Sequence, residues 1–214
     1  MSRRIGVAAL AAMIGGAGLP GADMPAMAQP YTSSYSKLDL GQGCQWRDGE
    51  GNAVAADDVA DGGCAICPGT GANVIRICEG DLRQSAAYGP EGLLGDGWHS
   101  FAQFNWIGAT VEWRLDGSEP VAAIHRQFVE NLNDSGEPDA ANRGQVLVIS
   151  TVARPGRGPS CPVGHVDARA NANANELARQ VADSVAPAFV CGVDRPRFHG
   201  MRGPYSGTPG GVDE

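Results

Sequence analysis

The chain has one lysine, Lys37, and takes the rest of its positive charge from arginine; 16 Lys+Arg stand against 24 Asp+Glu, for a formal net charge of −8. A chain so short of positive charge does not track phosphate backbones, which excludes nucleic acid and anionic membrane surfaces as partners. Beyond the first 19 residues there is no apolar run near the roughly 20 residues that a membrane-spanning helix requires. No Gly-rich phosphate loop, dinucleotide fingerprint or metal-binding helix motif occurs, so no cofactor is expected. No serine stands in a Gly-x-Ser-x-Gly turn, which leaves a hydrolase without an identified nucleophile.

What is present begins with an export signal. Arg3 and Arg4 form a basic start, residues 5–19 are apolar, and Ala26-Met27-Ala28 offers an A-x-A cleavage site before Gln29. Residues 1–28 are therefore expected to be a signal peptide. Its removal takes away two arginines and Asp23, which moves the formal charge from −8 to −9. All six cysteines, Cys44, Cys64, Cys67, Cys78, Cys161 and Cys191, lie in the mature part. An even count in an exported chain predicts a disulfide framework in a periplasmic or extracellular protein, although six cysteines allow about 15 connectivities.

A hydrophobic fraction of 43% with four tryptophans is enough for one core. One disulfide-stapled domain is expected over residues 29–194, with a disordered Gly/Pro-rich tail over 195–214. Residues 29–38 read as an extended lead-in, and residues 49–63 as a Gly/Ala/Asp loop. Residues 74–79 and 82–88 read as a hairpin turning at Gly80-Asp81. Residues 109–115 alternate apolar and polar, as a half-buried strand does, and 121–129 is its expected antiparallel neighbour. Residues 145–152 are apolar on both faces, which marks a central strand, and 162–167 reads as a short strand after it. The one convincing helix is 175–185, where Leu177, Val181 and Val185 form a single apolar stripe. Pro187 ends it, and Cys191 can tie its far end back to Cys161. The expected fold is α+β, an antiparallel sheet of about five or six strands with one C-terminal helix packed on it.

Several motifs resemble a group of short exported proteins of alphaproteobacteria. They are residues 35–40 before Cys44, Cys67-Pro68-Gly69, residues 79–83 (Glu-Gly-Asp-Leu-Arg), Ile107-Gly108 leading to Glu112-Trp113-Arg114, residues 144–148, and residues 165–168 (His-Val-Asp-Ala). The resemblance covers most of the mature chain. It supports the domain limits and the envelope location, and it implies no activity. The pattern of that group has fewer cysteines, which implies that Cys64 and Cys78 are an added pair joined to each other. The expected pairing is then Cys161–Cys191, Cys64–Cys78 and Cys44–Cys67.

Each candidate chemistry competes with a plainer reading. Cys64-Ala65-Ile66-Cys67 has redox spacing, but Pro68-Gly69 follows and no helix is at hand to lower a thiol pKa, so structural bridging is favoured over a thiol–disulfide oxidoreductase. A zinc site from Cys64, Cys67, Cys78 and a histidine lacks the usual second close pair. His165 and Asp167 lie two apart on a strand and share a face, as a base and its orienting partner would. The plainer alternative makes Asp167 an acceptor of backbone N–H bonds near the helix and His165 a surface residue. Glu79, Asp81 and Glu112 are the carboxylates to inspect for glycosidase-like acid and base work, against ordinary turn and surface roles. Trp98, Phe101, Phe104 and Trp106 form an aromatic-rich stretch that either contacts a partner or caps the core. The resulting expectation is an exported, non-enzymatic binding or inhibitor-like module whose aromatic stretch meets an envelope protein or glycan. A small secreted hydrolase using His165 and Asp167, or Glu79 and Asp81, is the alternative.

Overall fold

The computed structural model describes residues 31–56, 59 and 62–210. The expected signal peptide, residues 1–28, lies outside the described residues.

The fold is α+β: among the described residues there are two sheets and one α-helix, built on a six-stranded sheet ordered β1-β7-β8-β9-β10-β11. Its members are β1 (Thr32–Lys37), β7 (Asn105–Asp116), β8 (Glu119–Val129), β9 (Gly144–Thr151), β10 (Pro162–Asp167) and β11 (Arg197–Phe198). All neighbours are antiparallel except β10 and β11, which run parallel. Period-two alternation sends one set of side chains to each face. Ala122, Ile124, Leu147 and Ile149 face α1 (Ala174–Ser184) and pack against its Ala178, Val181 and Ala182. Val111, Trp113 and Ala123 face the other way. β9 lies inside the sheet with apolar residues on both sides, as its sequence predicts.

The opposite face is covered by a second, five-stranded antiparallel sheet ordered β3-β2-β4-β5-β6, which the sequence did not signal as a separate layer. It comprises β2 (Gln45–Arg47), β3 (Ala53–Val54), β4 (Gly63–Pro68), β5 (Val74–Gly80) and β6 (Arg83–Gly89). Ala65, Cys67, Ile75, Ile77 and Tyr88 from this sheet close on Val111 and Trp113. The result is three layers: helix, six-stranded sheet, five-stranded sheet. The β5–β6 turn sits one residue later than expected. Gly80 pairs with Arg83, so Asp81 and Leu82 take the central positions at φ 51° and 56°. This register sets Tyr88 opposite Ile75 in the core, and core packing outweighs the local preference for glycine at the turn.

Three disulfides staple these layers: Cys44–Cys67, Cys64–Cys78 and Cys161–Cys191. The first two hold the five-stranded sheet together, and the third ties the segment after α1 to the start of β10.

The stretch after Arg195 is not a disordered tail through Gly210. Arg197 and Phe198 pair with Gly164 and His165. Asn171 then grips Met201 at both backbone groups, accepting from its N–H at 2.9 Å and donating to its carbonyl at 2.7 Å. Asn131 donates to the Tyr205 carbonyl at 3.0 Å. Gly144 has no side chain to block this approach; a Cβ there would sit 2.0 Å from the Tyr205 oxygen. Composition hides this order because it comes from side-chain clamps supplied by distant residues.

Candidate functional site

The five-stranded sheet covers β7 and β8 but leaves part of the same face over β9 and β10 open. Phe101 and the C-terminal stretch close over that part, and a third small core forms from Phe101, Val129, Val146, Val148 and Phe198. Between these pieces lies a cleft of about 590 Å³, within the range of small-molecule sites. Its walls are predominantly apolar and include Phe101, Val148, Pro162, Phe189 and Phe198. Arg195, Arg197, Arg202 and Asp194 are also among its lining residues, and all four are exposed.

His165 is part of the wall and only 4% exposed. It lies between two rings, with Phe101 edge-on at 5.9 Å and Phe198 tilted at 5.2 Å. The Arg202 guanidinium stacks on Phe198 at 4.4 Å and donates to the Gly207 carbonyl at 2.7 Å. Phe198 thus contacts both the guanidinium and the imidazole in this wall. The ring nitrogens of His165 have no hydrogen-bond partner among the described residues, and the residue lines the cleft. Burial lowers its pKa to about 4, helped by the neighbouring charges of His199 and Arg202, so the imidazole is neutral near neutral pH.

Asp167 has a different task. Its carboxylate accepts from the backbone N–H groups of Arg169 (2.8 Å), Ala170 (3.0 Å) and Gly203 (2.9 Å) and from the Ser206 hydroxyl (2.6 Å). Burial acts to raise its pKa, and these four donors outweigh burial and lower it. The expected pairing of His165 with Asp167 does not form: the aspartate clamps the C-terminal stretch and the histidine lines the cleft. The plainer reading is corrected in one part, since His165 is buried rather than a surface residue.

The other carboxylates do not converge either. Glu79 accepts from Gln84 Nε2 at 2.8 Å, and Asp81 pairs with Arg83 at the hairpin turn. Glu112 lies under α1, where Arg179 Nε reaches it at 2.6 Å and the Ser33 hydroxyl at 2.5 Å. Beside it, Arg114 donates twice to Asp183 at 2.8 and 2.7 Å. This network fastens the helix to β7 and β1. The aromatic stretch divides as well. Trp98 and Phe104 are exposed at 42% and 45%, with Phe104 under Arg83. Trp106 is half-buried between Phe128 and Arg143, and Phe101 is buried at the cleft. Of the four rings, Trp98 and Phe104 are the exposed ones. Cys64 and Cys67 are not joined to each other, and all six sulfurs are engaged in the three disulfides. A dithiol for exchange chemistry, or thiolates for zinc, are therefore not on offer.

The three cleft arginines were not singled out from the sequence. Their only signal was the concentration of arginine in residues 195–202.

Compared with known proteins, the chain matches no family model, no curated protein and no solved structure.

Proposed function

We propose that the protein is an exported ligand-binding module without catalytic chemistry of its own, working in the periplasm or outside the cell. The observation that carries this reading is the apolar cleft under the C-terminal stretch, lined in part by exposed arginines and by the unpartnered His165. Further support comes from the separation of the candidate acids and bases: His165, Asp167, Glu79 and Glu112 have different neighbours and different tasks. Three disulfides suit an oxidising compartment. No helix among the described residues is long and apolar enough to cross a membrane. Within the aromatic stretch, only Phe101 reaches the cleft together with the neighbouring His99 and Ser100, so the ligand is a small molecule rather than the protein or glycan that an exposed aromatic surface would suggest.

The test is a thermal-unfolding screen of the mature chain, starting at Gln29, against small amphipathic molecules. Binders should raise Tm, as any ligand specific to the folded state does. Thr208→Trp, which places an indole at the cleft edge, should abolish the rise. The reading fails if no compound raises Tm, or if the rise survives Thr208→Trp unchanged. Turnover of ester or glycoside substrates that is lost in His165→Ala would also overturn it, in favour of a hydrolase.

A further inference from the structure

Resting on that reading, we propose that the cleft takes an amphipathic carboxylate, with a flat apolar body against Phe101 and Phe198 and its carboxylate held by Arg195 and Arg197. The charge distribution favours this class. The whole chain has a formal charge of −8, yet the residues lining the cleft include three arginines and one aspartate. Arg195 and Arg197 are exposed, and neither has a carboxylate partner among the described residues. Asp194 Oδ2 accepts the Val190 N–H at 2.8 Å, and Asp194 forms no ion pair with either arginine. Guanidinium groups suit a carboxylate because their paired donors match its two oxygens, and such charge-assisted bonds are about twice as strong as neutral ones.

The apolar body follows from the walls. Phe101, Phe198, Val148 and Pro162 offer ring and aliphatic surface, and the volume of about 590 Å³ holds a small molecule rather than a chain segment of a large partner. His165 adds a directional contact. Its neutral ring, held by Phe101 and Phe198, has unpartnered nitrogens and can donate to or accept from one polar group on the ligand body. Arg202 is less free to move, since it is stacked on Phe198 and bonded to Gly207. It therefore fixes the wall, and Arg195 and Arg197 close on the head group.

The experiment compares three probes of one shape by calorimetry at neutral pH: 2-naphthoate, 2-naphthol and 2-naphthylmethylammonium. The expected order is naphthoate about tenfold or more tighter than naphthol, with the cation weakest. In the double variant Arg195→Gln/Arg197→Gln the advantage of naphthoate over naphthol should fall below about twofold, while its urea midpoint stays near wild type because both side chains are exposed. Raising the salt concentration should weaken naphthoate binding and leave naphthol nearly unchanged. Equal binding of all three probes, or a preference that survives the double variant, overturns the carboxylate assignment and leaves the binding module standing. Failure of naphthoate to bind also overturns it, and the module itself then falls only if the wider screen finds no cleft ligand blocked by Thr208→Trp.

Discussion

At the scale of single residues, the buried pair Tyr88 and His125 shows how the core accommodates polar groups. His125 Nε2 lies 2.6 Å from the Gly108 carbonyl, which can only accept, so that nitrogen carries the hydrogen. Nδ1, at 2.9 Å, is then the acceptor for the Tyr88 hydroxyl. The neutral ring is fully satisfied by this one tautomer. Tyr88→Phe removes the donor and leaves a buried acceptor unpaired, with an expected cost of about 1 to 3 kcal/mol in urea unfolding. An unchanged midpoint would show that water or a ring rotation replaces the hydroxyl. Asp167 gives a second case. Asp167→Ala strips four donors of their acceptor and should speed amide hydrogen exchange across residues 199–210 far more than in β7 or β8. The sequence placed His165 and Asp167 correctly on one strand face. It did not reveal that one serves the cleft and the other the C-terminal stretch, because Gly203 and Ser206 lie in a segment whose composition suggested no order.

At the scale of elements, legibility followed periodicity. β7, β8, β9 and α1 each bury a regular stripe, so alternation or a 3.6-residue repeat exposes them in the sequence. β1 to β3 are short and polar or intermediate in burial along most of their length, and therefore read as lead-in or loop. β11 has two residues and depends entirely on its pairing with β10. The β5–β6 turn yields a prediction of its own. Leu82 is 63% exposed at φ 56°, a conformation that costs a residue with a Cβ roughly 1 to 2 kcal/mol. Leu82→Gly should relieve the strain, offset by the entropy that glycine gains in the unfolded chain. The expected result is a stability equal to wild type or up to about 1 kcal/mol higher. A loss above 1 kcal/mol would mean that the Leu82 side chain holds the turn. The Cys161–Cys191 bridge spans 30 residues, including α1. In the chain-entropy account, replacing both cysteines by alanine should cost roughly 3 to 4 kcal/mol.

At the scale of the whole molecule, the four histidines share a direction. His99, His125, His165 and His199 are all lowered from their ordinary value, chiefly by burial, with His125 and His165 each at about 4. Unfolding restores them to about 6.5. Between pH 6.5 and 4 the unfolded chain therefore binds protons that the folded chain does not, and stability must rise with pH across that window. Below pH 6.5 it falls, by on the order of 2 to 3 kcal/mol at pH 4.5 for each of His125 and His165. Asp167 acts lower down: its depressed pKa contributes stability that is present above the ordinary carboxylate range and lost only as pH drops below it. Urea midpoints measured from pH 7.5 to 4.5, with the disulfides intact, should thus decline steeply. His165→Leu keeps the apolar packing between Phe101 and Phe198 and removes one titrating group, so its stability curve should be shallower over the same range, with the slope from His125 and the other histidines retained. A wild-type curve that is flat from pH 6.5 to 4.5 would mean that both imidazoles gain protons in the folded state, and the closed packing around Tyr88 and Phe198 would then have to open in acid.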